Sequence, residues 1–192
     1  MEDNGNKHLK IVFVGNSQTG KTTFSKKTYS PVNKNCKYIP TAGASYATIS
    51  RVNKNRSFNL DIWDTSGVEK FFSLIKIFCR DADAILIFYN PYDVKSFERA
   101  KIFLNDCISN GKDNALKALV RGRYDESIKN NDTKNFVSDE EALEFANSNN
   151  LYFFHFTSFE KYETGFNEFL EILFNKSNIN LGDNFSNEIT LN

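Results

Sequence analysis

The segment from Gly15 to Thr22 constrains the fold of this chain more than any other stretch. It matches the pattern G-x-x-x-x-G-K-[ST], and it lies between a predicted strand and a predicted helix. Glycines let such a loop wrap tightly, so that its N–H groups point inward at phosphate oxygens. The lysine places a positive charge on the β- and γ-phosphates, and the threonine hydroxyl is a ligand for Mg²⁺. We predict a phosphate-binding loop whose contacts come from Gly15, Ser17, Gln18, Thr19, Gly20, Lys21, Thr22 and Thr23.

Apolar runs and helical patterns alternate along the chain. Short apolar runs predict strands at 9–14, 45–52, 57–63, 84–89, 115–120 and 151–156. A helix is predicted over 21–27, directly after the phosphate loop. Apolar residues at helical spacing predict helices over 96–109 and 162–174, and a capping box at 138–141 begins another. The alternation predicts an α/β fold, a mostly parallel six-stranded sheet with helices on both faces. We expect one domain over 8–176, a flexible start at 1–7 and a flexible, Asn-rich tail at 177–192.

Composition excludes several classes of protein. The 24 basic and 24 acidic residues cancel, so no global field favours nucleic acid or an anionic membrane. No apolar run is long enough for a membrane span. Nineteen Phe and eight Tyr predict a core rich in aromatic rings. The cysteines are odd in number, far apart and without metal spacing, which is typical of a reduced, intracellular protein: Cys36, Cys79 and Cys107.

A second segment, from Asp61 to Gly67, indicates a metal-binding edge. Asp64 ends a predicted strand and is suited to hold a magnesium-bound water. Gly67 offers its backbone N–H to a γ-phosphate without a side chain in the way. The two segments together predict a site for a triphosphate and Mg²⁺.

These motifs, in this order and spacing, resemble those of the Ras superfamily of small GTPases, and the Rab branch is the most similar. The similarity covers about residues 8–175, with Tyr38–Gly43 similar to the Rab switch I and residues 88–97 similar to the segment after the fourth strand. It implies a P-loop GTPase domain that binds GTP or GDP with Mg²⁺. It also implies a role in vesicle traffic, with effector, exchange-factor and GAP proteins contacting the switch regions.

The resemblance also implies individual roles. Thr41 is the switch I threonine, whose hydroxyl binds Mg²⁺ together with Thr22 and Asp64 and whose N–H senses the γ-phosphate. Lys21, Thr41 and Gly67 form the catalytic set. An aromatic effector surface falls at four positions, which are equally compatible with a place in the core: Phe58, Trp63, Phe71 and Phe72.

The hydrolytic position departs from the family pattern. The family places a glutamine directly after the Gly67 position, where it orients the attacking water, and this chain has Val68. Valine neither donates nor accepts a hydrogen bond, so we expect slow hydrolysis, unless Gln18 or Glu69 positions the water.

The base-reading segments depart as well. The family motif N-K-x-D is replaced by residues 122–125, in which Asp125 remains to accept hydrogen bonds from guanine. Arg123 can stack on the base, whereas Gly122 lacks the amide that ties this motif to the phosphate loop. The S-A-K element is replaced by residues 158–160, where Ser158 and Phe159 remain candidate base-binding residues, because the backbone N–H of the middle residue can still contact the base oxygen. The position of the flanking aromatic is Lys34, for which Tyr29 or Tyr38 could substitute.

Two functions are compatible with these residues. The first is a slow GTPase switch, and the second is an interaction module that recruits partners without turnover. An ATPase or kinase is disfavoured because Asp125 and the switch residues favour guanine. The C-terminal residues hold no cysteine for a prenyl group, so we expect no direct lipid anchor, and a cytoplasmic location with peripheral attachment to endomembranes through a partner.

Overall fold

The computed structural model describes residues 7–29, 41–53, 56–122, 136–155 and 162–179. Strands and helices alternate in the described residues. The strands are β1 (Lys7–Gly15), β2 (Ala44–Asn53), β3 (Arg56–Thr65), β4 (Ala84–Tyr89), β5 (Leu116–Arg121) and β6 (Tyr152–His155). The helices are α1 (Lys21–Tyr29), α2 (Ile75–Cys79), α3 (Val94–Ile108), α4 (Asp139–Ser148) and α5 (Tyr162–Ile179), with a 3₁₀ helix at Glu69–Leu74. None of these helices is long and apolar enough to cross a membrane.

The strands form one six-stranded sheet in the order β2-β3-β1-β4-β5-β6. β2 and β3 pair antiparallel, and every other neighbouring pair is parallel. The predicted fold class is therefore confirmed. This order brings the carboxyl ends of β1 and β3 side by side, and the phosphate loop lies at that edge.

Alternating side chains of β1 pack into two separate cores. Leu9, Ile11 and Phe13 contact residues of α1 and α5 on one face of the sheet. Val12 and Val14 contact residues of α2, α3 and α4 on the other face. Successive side chains of a strand point to opposite faces, so a continuous apolar run is what a strand covered on both sides requires. Helices therefore lie on both faces, as predicted.

Aromatic rings join α1 to the sheet directly behind the phosphate loop. Phe24 is 1% exposed, and its ring centroid lies 5.4 Å from Phe13, 5.2 Å from Phe88 and 5.1 Å from Phe166. All three contacts are edge-on, a geometry that aromatic pairs prefer. The ring-rich core predicted from composition is present at this position.

The sequence pattern missed several features of the fold. The 3₁₀ helix and α2 were not predicted, and α5 continues to Ile179, past the predicted end at 174.

The expectation of reduced cysteines is wrong for one pair. Cys79 of α2 and Cys107 of α3 are joined by a disulfide, with 5.4 Å between their Cα atoms. Their separation of 28 residues concealed this, because only the packing of α2 on α3 brings them together.

We predict that Phe24→Ala destabilises the protein strongly. The substitution removes a fully buried ring that contacts three others, and such losses cost about 3–5 kcal/mol. Urea denaturation measures the change in the free energy of unfolding. Ile102→Ala is the control, since Ile102 is 49% exposed on α3 and should cost less than about 1 kcal/mol. Equal losses in the two variants would contradict the role given to Phe24.

Candidate functional site

The candidate site lies at the carboxyl ends of β1 and β3, where the loop after β1 leads into α1. Lys21 is the first residue of α1, and Thr22 and Thr23 follow in its first turn. The N-terminus of a helix presents free N–H groups and a partial positive charge, both of which favour an anion. In the loop itself, Gln18 adopts φ 63° and Gly20 φ 95°, so the backbone is wound sharply before the helix begins.

Lys21 is buried inside this loop. Its Nζ donates hydrogen bonds to the carbonyl oxygens of Gly15 at 2.7 Å and Asn16 at 2.8 Å. Burial lowers the pKa of Lys21 to about 8, and the Asp64 carboxylate acts in the opposite direction. A buried ammonium of this kind is a strong partner for phosphate oxygens, because little surrounding water competes for it.

Thr22, Thr41 and Asp64, here called the hydroxyl–carboxylate cluster, come together beside the loop. Thr22 Oγ1 donates a hydrogen bond to Asp64 Oδ2 at 2.7 Å, and it lies 3.1 Å from Thr41 Oγ1. Asp64 is 0% exposed, and burial raises the pKa of its carboxyl. The three residues predicted to bind Mg²⁺, from three separate segments, therefore share one place.

The hydroxyl–carboxylate cluster fits a Mg²⁺ ion. Its donors are all oxygen atoms, the ligands that Mg²⁺ prefers. Asp64 Oδ1 is buried and has no hydrogen-bond partner among the described residues, so one carboxylate oxygen remains for the ion or its bound water. The predicted metal roles of Thr22, Thr41 and Asp64 are compatible with this geometry.

Gly67 lies directly against the phosphate loop. Its carbonyl oxygen accepts hydrogen bonds from the backbone N–H of Ser17 at 2.8 Å and from Ser17 Oγ at 2.7 Å. A Cβ atom at Gly67 would lie 2.3 Å from Ser17 N and 2.4 Å from the carbonyl carbon of Asn16. Glycine is therefore required here by space, and the segment that carries Val68 begins in contact with the loop.

The remaining predicted residues divide into two groups. Thr19 is fully buried and donates a hydrogen bond from Oγ1 to the Asn16 carbonyl at 2.9 Å, whereas Gln18 and Thr23 are exposed at the rim. The predicted base-reading residues lie outside the described residues: Arg123, Asp125, Ser158 and Phe159. Their roles stay predictions. Lys34 and Tyr38 also lie outside them, and nothing is described of the Tyr29 side chain.

Three aromatic side chains form a continuous surface next to the site, here called the aromatic strip. Tyr46 of β2 is 54% exposed, and its ring centroid lies 4.9 Å from Trp63 of β3. Phe78 of α2 continues the strip at 5.7 Å from Trp63. The exposed Ile77 precedes Phe78 on α2.

The structure decides between surface and core for the four aromatic positions that the sequence left open. Phe58 is 1% exposed and stacks on Phe174 in the core, so it belongs to no surface. Phe72 packs against Phe103, and Phe71 is half-buried beside Lys70. Trp63 alone of the four belongs to the strip. Tyr46 could have been found from strand pairing, because it lies directly opposite Trp63 in the antiparallel ladder.

Comparisons with known proteins agree with this geometry. A family model described as the Ras family matches residues 10–177. The Ras-related protein RabC of Dictyostelium discoideum is 31% identical over 122 residues, which are 60% of this chain and 60% of RabC. The GTP-binding protein YPT1 of Saccharomyces cerevisiae is 30% identical over 149 residues, 76% of this chain and 68% of YPT1. The Ras-related protein RABF2a of Arabidopsis thaliana is 30% identical over 159 residues, 80% of this chain and 74% of that protein.

We predict that Lys21 makes stability depend on pH in the absence of added nucleotide. Its folded pKa of about 8 lies below the ordinary value of 10.5, so the unfolded chain binds more protons between these two values. Stability contributed through Lys21 therefore rises from about pH 8 to about pH 10. Urea denaturation across this range should show the rise in the wild type relative to Lys21→Met. Parallel pH profiles for the two proteins would contradict the prediction.

Proposed function

The chain belongs to the Ras family, and from that premise we propose that it is a Rab-like switch that binds GTP and GDP with Mg²⁺ and hydrolyses GTP very slowly. The observation that carries the proposal is the joint placement of Lys21, Thr22, Thr41, Asp64 and Gly67 around one loop. A turn that merely contained glycine would have no need for a buried lysine, a buried carboxylate and two hydroxyls directed to the same place.

Each of these groups has a distinct task in triphosphate binding. The Lys21 ammonium offers charge to the β- and γ-phosphates, and the first N–H groups of α1 offer hydrogen bonds to the same oxygens. Thr22 and Thr41 present hydroxyl oxygens toward the carboxylate of Asp64. Mg²⁺, when bound there, would neutralise charge on the β- and γ-phosphates.

Hydrolysis transfers the γ-phosphoryl group to water. The water oxygen bonds to the γ-phosphorus while the bond from that phosphorus to the β–γ bridging oxygen breaks, giving GDP and inorganic phosphate. Lys21 stabilises the charge that develops on the bridging oxygen and the transferred group. Thr41 and Gly67 are the residues whose backbone N–H groups we assign to the γ-phosphate.

The valine at position 68 is the reason we propose slow hydrolysis of GTP. It follows Gly67 directly and caps the 3₁₀ helix at Glu69–Leu74 in an extended conformation, with φ −87° and ψ 130°. Its backbone N–H donates to Ser66 Oγ at 3.2 Å. The apolar side chain has no group to orient water, and orientation of that water is a large part of the rate in related enzymes. Glu69 follows Val68 directly and Gln18 belongs to the phosphate loop; both are exposed, and either could take this role.

The alternative function is an interaction module that binds nucleotide or partners without turnover. Val68 favours the interaction module, since replacing glutamine with valine removes a group that acts in hydrolysis and leaves the nucleotide-binding groups in place. The two functions share the same nucleotide site and differ in whether GTP is consumed. Single-turnover hydrolysis therefore separates them.

A role in vesicle traffic is supported by the Rab-related proteins that the chain resembles. The partners in this proposal are effectors, exchange factors and GAP proteins that contact the switch regions and the aromatic strip. We place the protein in the cytoplasm, on the surface of endomembranes through a partner. Exposed aromatic side chains such as Tyr46 are frequent anchors in protein interfaces.

We predict that triphosphate binding depends on the phosphate loop. Lys21→Ala removes the buried charge, and Thr22→Asn removes the hydroxyl bonded to Asp64, so either should weaken GTP affinity about a hundredfold or more. Equilibrium binding of a fluorescent GTP analogue measures this. Lys95→Ala is the control for loss of a lysine, because Lys95 is exposed on α3. Unchanged affinity in both loop variants would refute the proposed function.

We predict that Val68→Gln accelerates hydrolysis. Restoring an amide that orients water should lower the barrier by about 1–3 kcal/mol, a rate increase of about ten- to a hundredfold. Single-turnover hydrolysis of bound GTP measures the rate. Val52→Gln makes the same chemical change at a position that is 73% exposed on β2, and it should leave the rate unchanged.

Three outcomes of this experiment are informative. Slow wild-type turnover with acceleration by Val68→Gln supports a slow GTPase. No turnover in either protein supports the interaction module. A wild type that already hydrolyses at the usual rate of its relatives, with no gain in the variant, would show that another residue positions the water.

A further inference from the structure

A disulfide connects the end of the segment that carries Val68 to the neighbouring helix. Cys79 is the last residue of α2 and Cys107 lies in the last turn of α3. The disulfide joins them with 5.4 Å between their Cα atoms, and both residues are 0% exposed. A covalent bond inside the core therefore fixes the C-terminal end of α2 against α3.

The other end of this segment is held by the phosphate loop. The carbonyl oxygen of Gly67 accepts hydrogen bonds from the backbone N–H of Ser17 at 2.8 Å and from its hydroxyl at 2.7 Å. Residues 67–79, here called the anchored segment, are thus fixed to the nucleotide site at one end and to α3 at the other. A change in the hold at Cys79 therefore acts on a segment whose far end contacts the phosphate loop.

Between its two ends the anchored segment is weakly packed. No residue of the 3₁₀ helix at Glu69–Leu74 is buried, and α2 buries only Ile75 and Cys79. The ion pair of Lys76 with Asp106 lies at the surface, where such pairs contribute little. Segments with few buried apolar contacts open locally at a low cost in free energy. The covalent bond at Cys79 is therefore the strongest restraint on α2.

We propose that the disulfide between Cys79 and Cys107 is a redox-controlled tether of the anchored segment. When the disulfide is formed, α2 is held on α3 and the contact of Gly67 with the phosphate loop is supported. When it is reduced, the anchored segment opens more often and bound nucleotide leaves faster. This inference rests on the proposed guanine-nucleotide function and adds a means of regulating that same site.

The reductant in this proposal is a dithiol. One of its thiolates attacks a sulfur atom of the disulfide, which gives a mixed disulfide and frees one cysteine, and its second thiol then releases the other cysteine. Two electrons and two protons pass to Cys79 and Cys107, and the dithiol becomes a disulfide. Because both cysteines are buried, the attack requires α2 to open first.

The tether also acts on the aromatic strip. Phe78 precedes Cys79 directly in α2, and its ring centroid lies 5.7 Å from Trp63. Release of the end of α2 therefore frees one member of the strip from its place beside Trp63. Trp63 is the single tryptophan of the chain, so its fluorescence reports on this movement.

The experiment compares two redox states of the full-length protein, one oxidised with glutathione disulfide and the other reduced with dithiothreitol. Alkylation and peptide mass spectrometry establish whether Cys79 and Cys107 are joined in each state. Hydrogen exchange of the backbone amides over 69–79 measures opening of the anchored segment, with Trp63 fluorescence as a second readout. The dissociation rate of a fluorescent GDP analogue measures the hold on nucleotide. Reduction should accelerate hydrogen exchange, change the fluorescence, and raise the dissociation rate about threefold or more.

Cysteine variants are the matched controls. Cys107→Ala cannot form the disulfide, so it should release nucleotide at the fast rate in both conditions. Cys36→Ala leaves the pair intact and should respond to dithiothreitol as the wild type does; Cys36 lies outside the described residues. If Cys107→Ala does not fold, the wild type decides by itself, because renewed oxidation with glutathione disulfide should restore slow release.

The outcomes separate the tether from the proposed function. Failure to retain guanine nucleotide in either redox state refutes the proposed function, and hydrogen exchange over 69–79 then decides on the tether. Cysteines that stay unjoined after oxidation overturn the tether. Equal nucleotide release before and after reduction also overturns it, since a disulfide that only stabilises the fold would leave release from the folded protein unchanged. A response to dithiothreitol that persists in Cys107→Ala overturns it as well, because the dithiol would then act on another group.

Discussion

The hydrogen bond from Thr22 to the buried carboxylate of Asp64 is the contact on which the rest of the site depends. Asp64 is fully buried at the end of β3, and Thr22 Oγ1 reaches its Oδ2 at 2.7 Å from the first turn of α1. A buried carboxylate is costly unless it is paired, so this bond fixes the start of α1 against β3. Thr41, 3.1 Å from the same hydroxyl, brings in the segment that precedes β2. One buried charge thereby joins three segments that are far apart in sequence.

The position of the phosphate loop is fixed because β1 and α1, which flank it, are packed into the sheet and the apolar core. β1 pairs with β3 on one side and β4 on the other, so the loop after β1 begins at the centre of the sheet. The ring of Phe24 fixes α1 to the same sheet through three aromatic contacts. Sites built on packed strands and helices keep their geometry better than sites on loops alone. The apolar core therefore contributes to binding by limiting where Lys21 and Thr22 can lie.

Local patterns predicted the parts of the fold and site that depend on local sequence. The run Ala84–Tyr89 was predictable as a central strand because all six residues are apolar, and all six are buried. The phosphate loop was predictable because its residue types are required by its turns. Features that depend on packing between segments far apart in the sequence could not be predicted. The stacking of Phe58 of β3 on Phe174 of α5 could not be predicted, because the two residues are far apart in sequence.

The hydroxyl–carboxylate cluster and the aromatic strip meet at two consecutive residues of one strand. Trp63 and Asp64 are consecutive in β3, and successive side chains of a strand point to opposite faces. Asp64 faces the phosphate loop, while Trp63 faces Tyr46 and Phe78 in the aromatic strip. A ligand that contacts Asp64 can therefore shift the backbone of β3, which also carries Trp63 at the centre of the strip. If hydrolysis is slow, the lifetime of the triphosphate form depends mainly on nucleotide dissociation and on partners. In that case the contact of a partner with the strip, which lies one residue from the carboxylate that we propose for the Mg²⁺ site, becomes a direct means of changing that lifetime.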